Sequence, residues 1–207
     1  MNARDAILKR RSIRRFKPDK INSSTVNELL EAGFAAPSAC NKRPLEFLVV
    51  TNEEKLSRLS ESGRFTKISA PLVIIVAADM NRILPRSFGD YWLHDAGAAT
   101  ENILIRATDL GLGSLWCGVY LQNQLMDSVK EILNLPESIV PFSMIKLGLA
   151  DEEIAAHEGI DESFVKFYNC LSAPVFSKTV IYDNKRLLFR QKTQEVDYEC
   201  QRYNDKD

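Results

Sequence analysis

One large domain, with helices and strands alternating around a single sheet, is the architecture that three features of this sequence predict. Apolar residues recur at helical spacing through Ala96, Ala99, Ile103, Ala107 and Leu110. The run Leu72 to Ala78 is instead continuously apolar and rich in β-branched residues, as a strand buried on both faces requires. Composition supplies the third: 207 residues, 45% hydrophobic and 27% charged, are ordinary for a globular chain with enough length for a sizeable core.

The elements follow in order. A short helix covers Ala3 to Lys9. The next begins near Ser24-Thr25, where Thr25 and Glu28 match a capping box, and carries Val26, Leu29, Leu30 and Phe34 on one face. It must stop before Pro37, because the residue preceding a proline is pushed out of the helical region. Phe47 to Val50 reads as a strand, and Thr51-Asn52-Glu53-Glu54 offers the next capping box, opening a short helix with Leu56 and Leu59 inward. After the strand Leu72 to Ala78, the longest helix runs from Gly89 or Asp90 to Leu110 and ends at Gly111, a favoured C-terminal capping residue. Ser114 to Val119 is a strand, Leu125 to Leu133 a helix and Phe142 to Leu149 a fourth strand. Residues 160 to 169 are read as a short helix, with strands at Thr179 to Tyr182 and Arg186 to Phe189 flanking Asp183-Asn184. Periodicity leaves the order of the strands open.

Charge and cysteine usage exclude several classes. With 27 Lys+Arg against 28 Asp+Glu the net charge is −1, which argues against binding nucleic acid or an acidic membrane by bulk charge. The longest apolar run falls far short of the roughly 20 residues that span a bilayer. The opening Met-Asn-Ala-Arg-Asp leads into charges, so no secretory leader is expected. Cys40, Cys117, Cys170 and Cys200 lack paired spacing and fit the reduced thiols of a cytoplasmic protein. With two histidines, His94 and His157, and no HExxH, no metal site is expected.

Three segments carry chemistry. From Lys9 to Lys20 there are seven basic residues and one acid, a net +6 inside a chain of total −1. Guanidinium groups beside a serine suit a phosphate, whose oxygens they bind in pairs; a solvated basic helix end accounts for the same charges. Ala35-Ala36-Pro37-Ser38-Ala39-Cys40-Asn41-Lys42-Arg43-Pro44 is a loop of small and hydrogen-bonding residues of the kind that holds planar polar ligands, although turn chemistry alone explains its composition. Gly111-Leu112-Gly113-Ser114-Leu115-Trp116-Cys117-Gly118 superficially evokes a dinucleotide fingerprint. It has Trp116 where glycine is needed, and it follows a helix instead of a strand, so that motif is rejected.

In this order, the arginine-serine box, "APSACNKRP" with "FLVV", "SAPLVIIVAAD", "WLHDAGAATENILIRATDLGLGSLWCG" and "FSMIKLGLADE" resemble the FMN-dependent nitroreductase family over residues 3 to 152. The resemblance implies an α+β, nitroreductase-like fold with a mainly antiparallel central sheet flanked by helices, assembled as an intertwined homodimer with the flavin at the subunit interface. It divides the chain into an FMN-binding domain, residues 1–169, and an extension, residues 170–207, that forms an arm or hairpin on the partner subunit. Carried over by position, Arg10, Arg11, Ser12 and Arg14 would hold the phosphate and the flavin's polar edge. Pro37, Ser38, Ala39 and Asn41 would contact the partner's flavin, and Cys117 and Gly118 would lie over the ring with a backbone N–H directed at N5.

The activity so implied is an NAD(P)H-dependent FMN oxidoreductase. Hydride would pass from NADH or NADPH through flavin N5 to a nitroaromatic, quinone or similar conjugated acceptor by a ping-pong mechanism, with no side chain required as a catalytic group. Arg14 is the leading candidate to stabilise anionic reduced flavin, with Arg43 and Arg64 behind it. Trp92 and Phe65 are read as packing residues before substrate covers, Cys117 as an inert buried thiol, and His94 and Asp95 as capping or surface residues. The alternative is a dimeric flavin-binding or interaction protein with little or no turnover. Two departures bear on the choice. Relatives commonly carry Gln-Pro-Trp where this chain has Arg43-Pro44-Leu45, and a basic residue at the position of Gly159; Lys178, Lys185 and Arg186 are candidate replacements for that charge.

Overall fold

Three asparagines start three of the helices, and each does so with its own side chain. In a computed structural model that describes residues 1–157 and 159–166, α1 (Ala3–Lys9), α2 (Ser23–Phe34) and α3 (Glu53–Glu61) are capped by Asn2, Asn22 and Asn52. Each carboxamide oxygen accepts from the backbone N–H three residues on, at 2.8–3.0 Å. The capping boxes expected at Thr25 and at Thr51 are therefore both corrected to the neighbouring asparagine. Glu28 turns away from the backbone to pair with Arg106. The remaining helices are α4 (Trp92–Asp109) and α5 (Asn123–Leu133). At the end of α4, Gly111 adopts φ 75°, so that its N–H reaches Thr108 and that of Leu112 reaches Ala107, closing the orphan carbonyls.

Four strands, β1 (Leu45–Val50), β2 (Leu72–Asp79), β3 (Gly113–Gly118) and β4 (Ile139–Gly148), form one sheet in the order β1-β2-β4-β3 with every pairing antiparallel. Strand β4 begins three residues earlier than its apolar run predicts. Pro141 is accommodated because the register with β2 slips between Val76 and Ala77, where a residue without an N–H costs no ladder bond. The displaced Phe142 carbonyl accepts from both Val119 and Tyr120 at 3.0 Å and so fixes the exit of β3.

The sheet is covered on both faces. Alternate residues of β2 and β4, Leu72, Ile74, Val76, Ile145 and Leu147, pack with Leu29 of α2 and with Ala96, Ile103, Leu104 and Ala107 of α4. The other set, Val73, Ile75 and Met144, meets Leu59 of α3 and Leu125, Val129 and Ile132 of α5. Because β2 is central and sandwiched, Leu72 to Ala78 is buried throughout. Small side chains at Ala96, Ala99 and Ala107 let α4 lie close on the sheet.

Met1 to Gly159 form one compact unit. Of the unit that begins at Ile160, residues 160–166 are described; they hold a single 3₁₀ turn, Glu162–Phe164, in which Asp161 accepts from the Ser163 N–H and hydroxyl. The strands expected at Thr179–Tyr182 and Arg186–Phe189, and the extension 170–207, lie outside the described residues. No described helix is long and apolar enough to cross a membrane.

Candidate active site

The basic segment runs across one end of the sheet, and two glycines make room for it. Gly113 and Gly148 face each other at the end of the β3–β4 ladder. A Cβ on Gly113 would sit 2.9 Å from Ile13, and one on Gly148 would sit 2.9 Å from Pro71 and 3.1 Å from Phe16. Through that gap the segment lies in parallel beside β3, with Ser12 bridged to Ser114 and the Ile13 N–H donating to the Ser114 carbonyl at 2.9 Å. Further on, Lys17 donates to Leu149 at 2.9 Å and the chain pairs again at Phe16 and Ala150.

Once held there, the segment opens a cleft of about 440 Å³ lined by Arg10, Arg11, Ser12 and Arg14 on one side and Ile154, Ala155, Ala156 and His157 on the other. Arg11 builds this cleft as much as it lines it. Its Nε donates to Ala155 at 2.6 Å and its Nη1 to the carbonyls of Arg10 and Leu8 at 2.6 and 3.3 Å, tying the strap 154–157 to the end of α1. Arg10 is oriented by Glu101 of α4 at 3.0 Å, and Arg14 donates back to the Ser12 carbonyl at 3.1 Å. One oxygen of Glu152 accepts from the N–H groups of both Arg14 and Arg15. These bonds, the Arg14 N–H foremost, hold the Glu152 carboxyl below the usual carboxylate range.

Four residues beyond Ser114, or roughly 13 Å at the usual rise per residue, β3 ends at Cys117 and Gly118. It is an edge strand, and past Ser114 its outer side has no strand partner among the described residues. Cys117 points away from this edge into the α3–α5 layer. Burial pushes its thiol up, against the weaker pull of Lys146 and Arg14, so it is protonated and inert. Gly118 is exposed, and a Cβ there would meet nothing nearer than the Gln122 amide at 3.9 Å. A flat ligand can therefore approach the backbone closely at this point. The anion-binding cleft and the open strand edge together fit FMN, with phosphate chemistry at one end and room for a ring at the other.

The 37–43 loop does not line this cleft. It is held rigidly: Ser38 Oγ accepts from the Arg43 N–H at 3.0 Å, Asn41 Oδ1 accepts from Arg43 Nε at 2.8 Å, and Cys40, Asn41 and Arg43 all have positive φ. Asp95, expected at a cap or on the surface, is instead buried and accepts from the Ala39 N–H at 2.9 Å. Trp92 is buried edge-on against Tyr120 and Phe142. Phe65 is exposed beneath Arg64, whose guanidinium lies 5.6 Å from the ring. Sequence reasoning missed Glu152, the strap at 154–157, and Lys146. Lys146 is only 1% exposed, donates to the Ile68 carbonyl at 2.6 Å, and is pushed down from its ordinary pKa by burial.

An antiparallel sheet between two helical layers, with a basic cleft at the end of its edge strand, defines an α+β protein with the charge to attract an anion there. Comparison with known proteins gives the class its family. The profile of the nitroreductase family matches residues 7–64 and 61–149. A protein of Archaeoglobus fulgidus whose name pairs NADH dehydrogenase with NAD(P)H nitroreductase is 40% identical over 157 residues, which is 75% of this chain and 89% of the relative. The structure of an FMN-dependent nitroreductase from Clostridium difficile superposes with a TM-score of 0.71 at 32% identity, covering 80% of this chain and 98% of the other. A nitroreductase from Desulfovibrio desulfuricans, solved in complex with FMN, does so with a TM-score of 0.68 at 26% identity, over 81% and 98%. The chain belongs to the nitroreductase family.

Proposed function

We propose that the chain passes electrons from NADH or NADPH to a nitroaromatic, quinone or similar conjugated acceptor, in a ping-pong sequence within a homodimer. Family membership fixes the coarser statement: it is an NAD(P)H-dependent oxidoreductase with FMN as its cofactor. The observation that carries the reading is the cleft of Arg10, Arg11, Ser12 and Arg14 opening onto the free edge of β3. When bound, FMN supplies the chemistry by accepting hydride and handing electrons on. Arg10 and Arg14 bind the phosphate, and Arg11 keeps the cleft in shape. Gly118 leaves the backbone accessible to the ring, and no side chain acts as nucleophile or general acid.

The dimer reading rests on two observations. The ordered 37–43 loop does not line the arginine cleft of its own chain, and on this reading Pro37, Ser38, Ala39 and Asn41 would face the partner's flavin. Large apolar side chains also stand exposed in the single chain, among them Phe65, Phe88, Tyr91 and Leu121. The extension 170–207 would pack on the partner as an arm or hairpin. The test is FMN titration of desalted protein, reduction of the bound flavin by NADH or NADPH, and turnover over a panel of acceptors. Saturation at about one FMN per chain with turnover is the expected result. Binding without turnover across the panel would favour a flavin-binding or interaction protein instead. If dilution to monomer left FMN affinity unchanged, the shared site would be wrong.

A further inference from the structure

A second cavity, of about 640 Å³, opens where β1 ends and β2 begins. The segment that builds the arginine cleft also builds this one. From the Phe16–Ala150 bridge onward it lines the cavity with Phe16, Lys17, Lys20 and Ile21. Helix α3 contributes Leu56 and Ser57, and the entry to β2 contributes Ser69 and Pro71. Phe16, Ile21, Leu56 and Pro71 remain half-buried here. Ile21 packs on the α2–α4 layer of the core, and Phe16 and Leu56 pack on the α3–α5 layer, so the cavity lies where the two layers part. Its charge is unbalanced. Lys20 pairs with Glu53 at 3.7 Å, whereas the Lys17 ammonium and the Ser57 and Ser69 hydroxyls have no partner among the described residues.

The geometry points to a second ligand site here, for an amphipathic anion with an aliphatic body and a carboxylate head, whose occupancy steadies the arginine-bearing segment. The walls are largely apolar, so an aliphatic body gains by leaving water. At the rim, an unpaired ammonium and two free hydroxyls can donate to the carboxylate oxygens. A phosphate is less well served, because no guanidinium lines the cavity to grip two of its oxygens at once. The link to the arginine cleft is mechanical. Phe16 and Pro71 both line the cavity and both pack onto Gly148, within 3.1 Å of where a Cβ would stand. Beside them the Lys17 N–H donates to Leu149 at 2.9 Å, and Glu152 accepts from the N–H groups of Arg14 and Arg15. A body packed against Phe16 and Pro71 favours the conformations in which this segment stays on the sheet. The inference does not depend on what fills the arginine cleft.

The test is a magnetic-resonance titration of the full-length protein, with isotope-labelled isoleucine, leucine and alanine methyls. Decanoate is the probe, and decylammonium is the control of equal length and opposite charge. The expected result is saturable shifts at Ile21, Leu56 and Ala70 with decanoate, and binding about tenfold weaker for decylammonium. K17Q should weaken decanoate by about fivefold, the scale of one exposed ion pair, and S57W should block it by filling the cavity. Both positions are exposed, so both variants should fold. At saturation the Arg14 and Lys17 amides should exchange with solvent severalfold more slowly. The absence of saturable shifts, shifts confined to Ile154, Ala155 and Ala156 of the arginine cleft, or equal binding of decylammonium would each overturn the site. Binding at Ile21, Leu56 and Ala70 with unchanged amide exchange would overturn the link to the arginine segment.

Discussion

Two cationic regions of this molecule, the arginine box beside β3 and Lys146 on β4, have opposite designs. The arginine box is clamped at its backbone, by Glu152, Ser114 and Leu149, while Arg10 and Arg14 reach into an open cleft. Lys146 of β4 is buried to 1% exposure, and its ammonium is spent on one internal carbonyl, that of Ile68. The comparison teaches that a cation serves a ligand when the backbone, and not the charged group, carries the structural load. Lys146 does the reverse and ties the 64–70 loop to the sheet.

The largest effect is expected where the box meets the sheet. Gly113→Val or Gly148→Val puts a side chain where Ile13 or Phe16 and Pro71 already sit. Stability should fall by about 1–3 kcal/mol, and FMN affinity should fall more than for loss of any one arginine. Thermal denaturation and FMN titration check this, and unchanged affinity would show that the segment can shift without losing the cleft. Next, Arg14→Ala should weaken FMN by about 10- to 100-fold, the range of one charge-assisted contact, and leave riboflavin binding nearly unchanged.

Glu152→Gln should have a smaller, pH-dependent effect. A carboxyl held below its ordinary value stabilises the fold above that value, and the contribution is lost as pH falls through the lowered one. Acid denaturation of E152Q should therefore lack that component, and FMN should bind severalfold more weakly as the Arg14–Arg15 backbone loosens.

The smallest effects are alkaline, and they oppose each other. Lys146 has a lowered pKa, so between that value and the ordinary 10.5 the unfolded chain binds the extra proton and stability rises with pH. Cys117 has a raised pKa, so from the ordinary 9.0 up to the raised value the native state keeps the proton and stability falls with pH. Denaturant unfolding of the FMN-free protein at pH 8 to 11 should steepen downward in Lys146→Met and flatten in Cys117→Ala. Slopes of the same sign in both variants would mean that the two groups do not titrate as opposed partners.

Local physics is what the sequence alone determined. The type of nearly every described element was legible, because helical spacing on α4 and an unbroken β-branched run on β2 express how deeply each is buried. The cleft's three arginines were legible because they are neighbours in the chain. The caps were missed because three candidate residues stood side by side, and only the path of the chain selects the asparagine. The early start of β4 was missed because Pro141 is tolerated only at the bulge around Phe142, where β4 slips against β2.

What tertiary structure decided involves residues far apart in the chain. Glu152 and the strap to His157 meet the box across some 140 positions, and a run of acids after Ala150 carries no sign of that partner. The burial of Lys146 was equally hidden, since its alternation within β4 is that of a solvent-facing residue until α3, α5 and the 64–70 loop cover the face. Strand order belongs to the same group: antiparallel β-hairpins and crossovers share one hydrophobic period, and only the packing of two helical layers chooses β1-β2-β4-β3. Periodicity records which face of an element is buried, and it holds no record of what buries it.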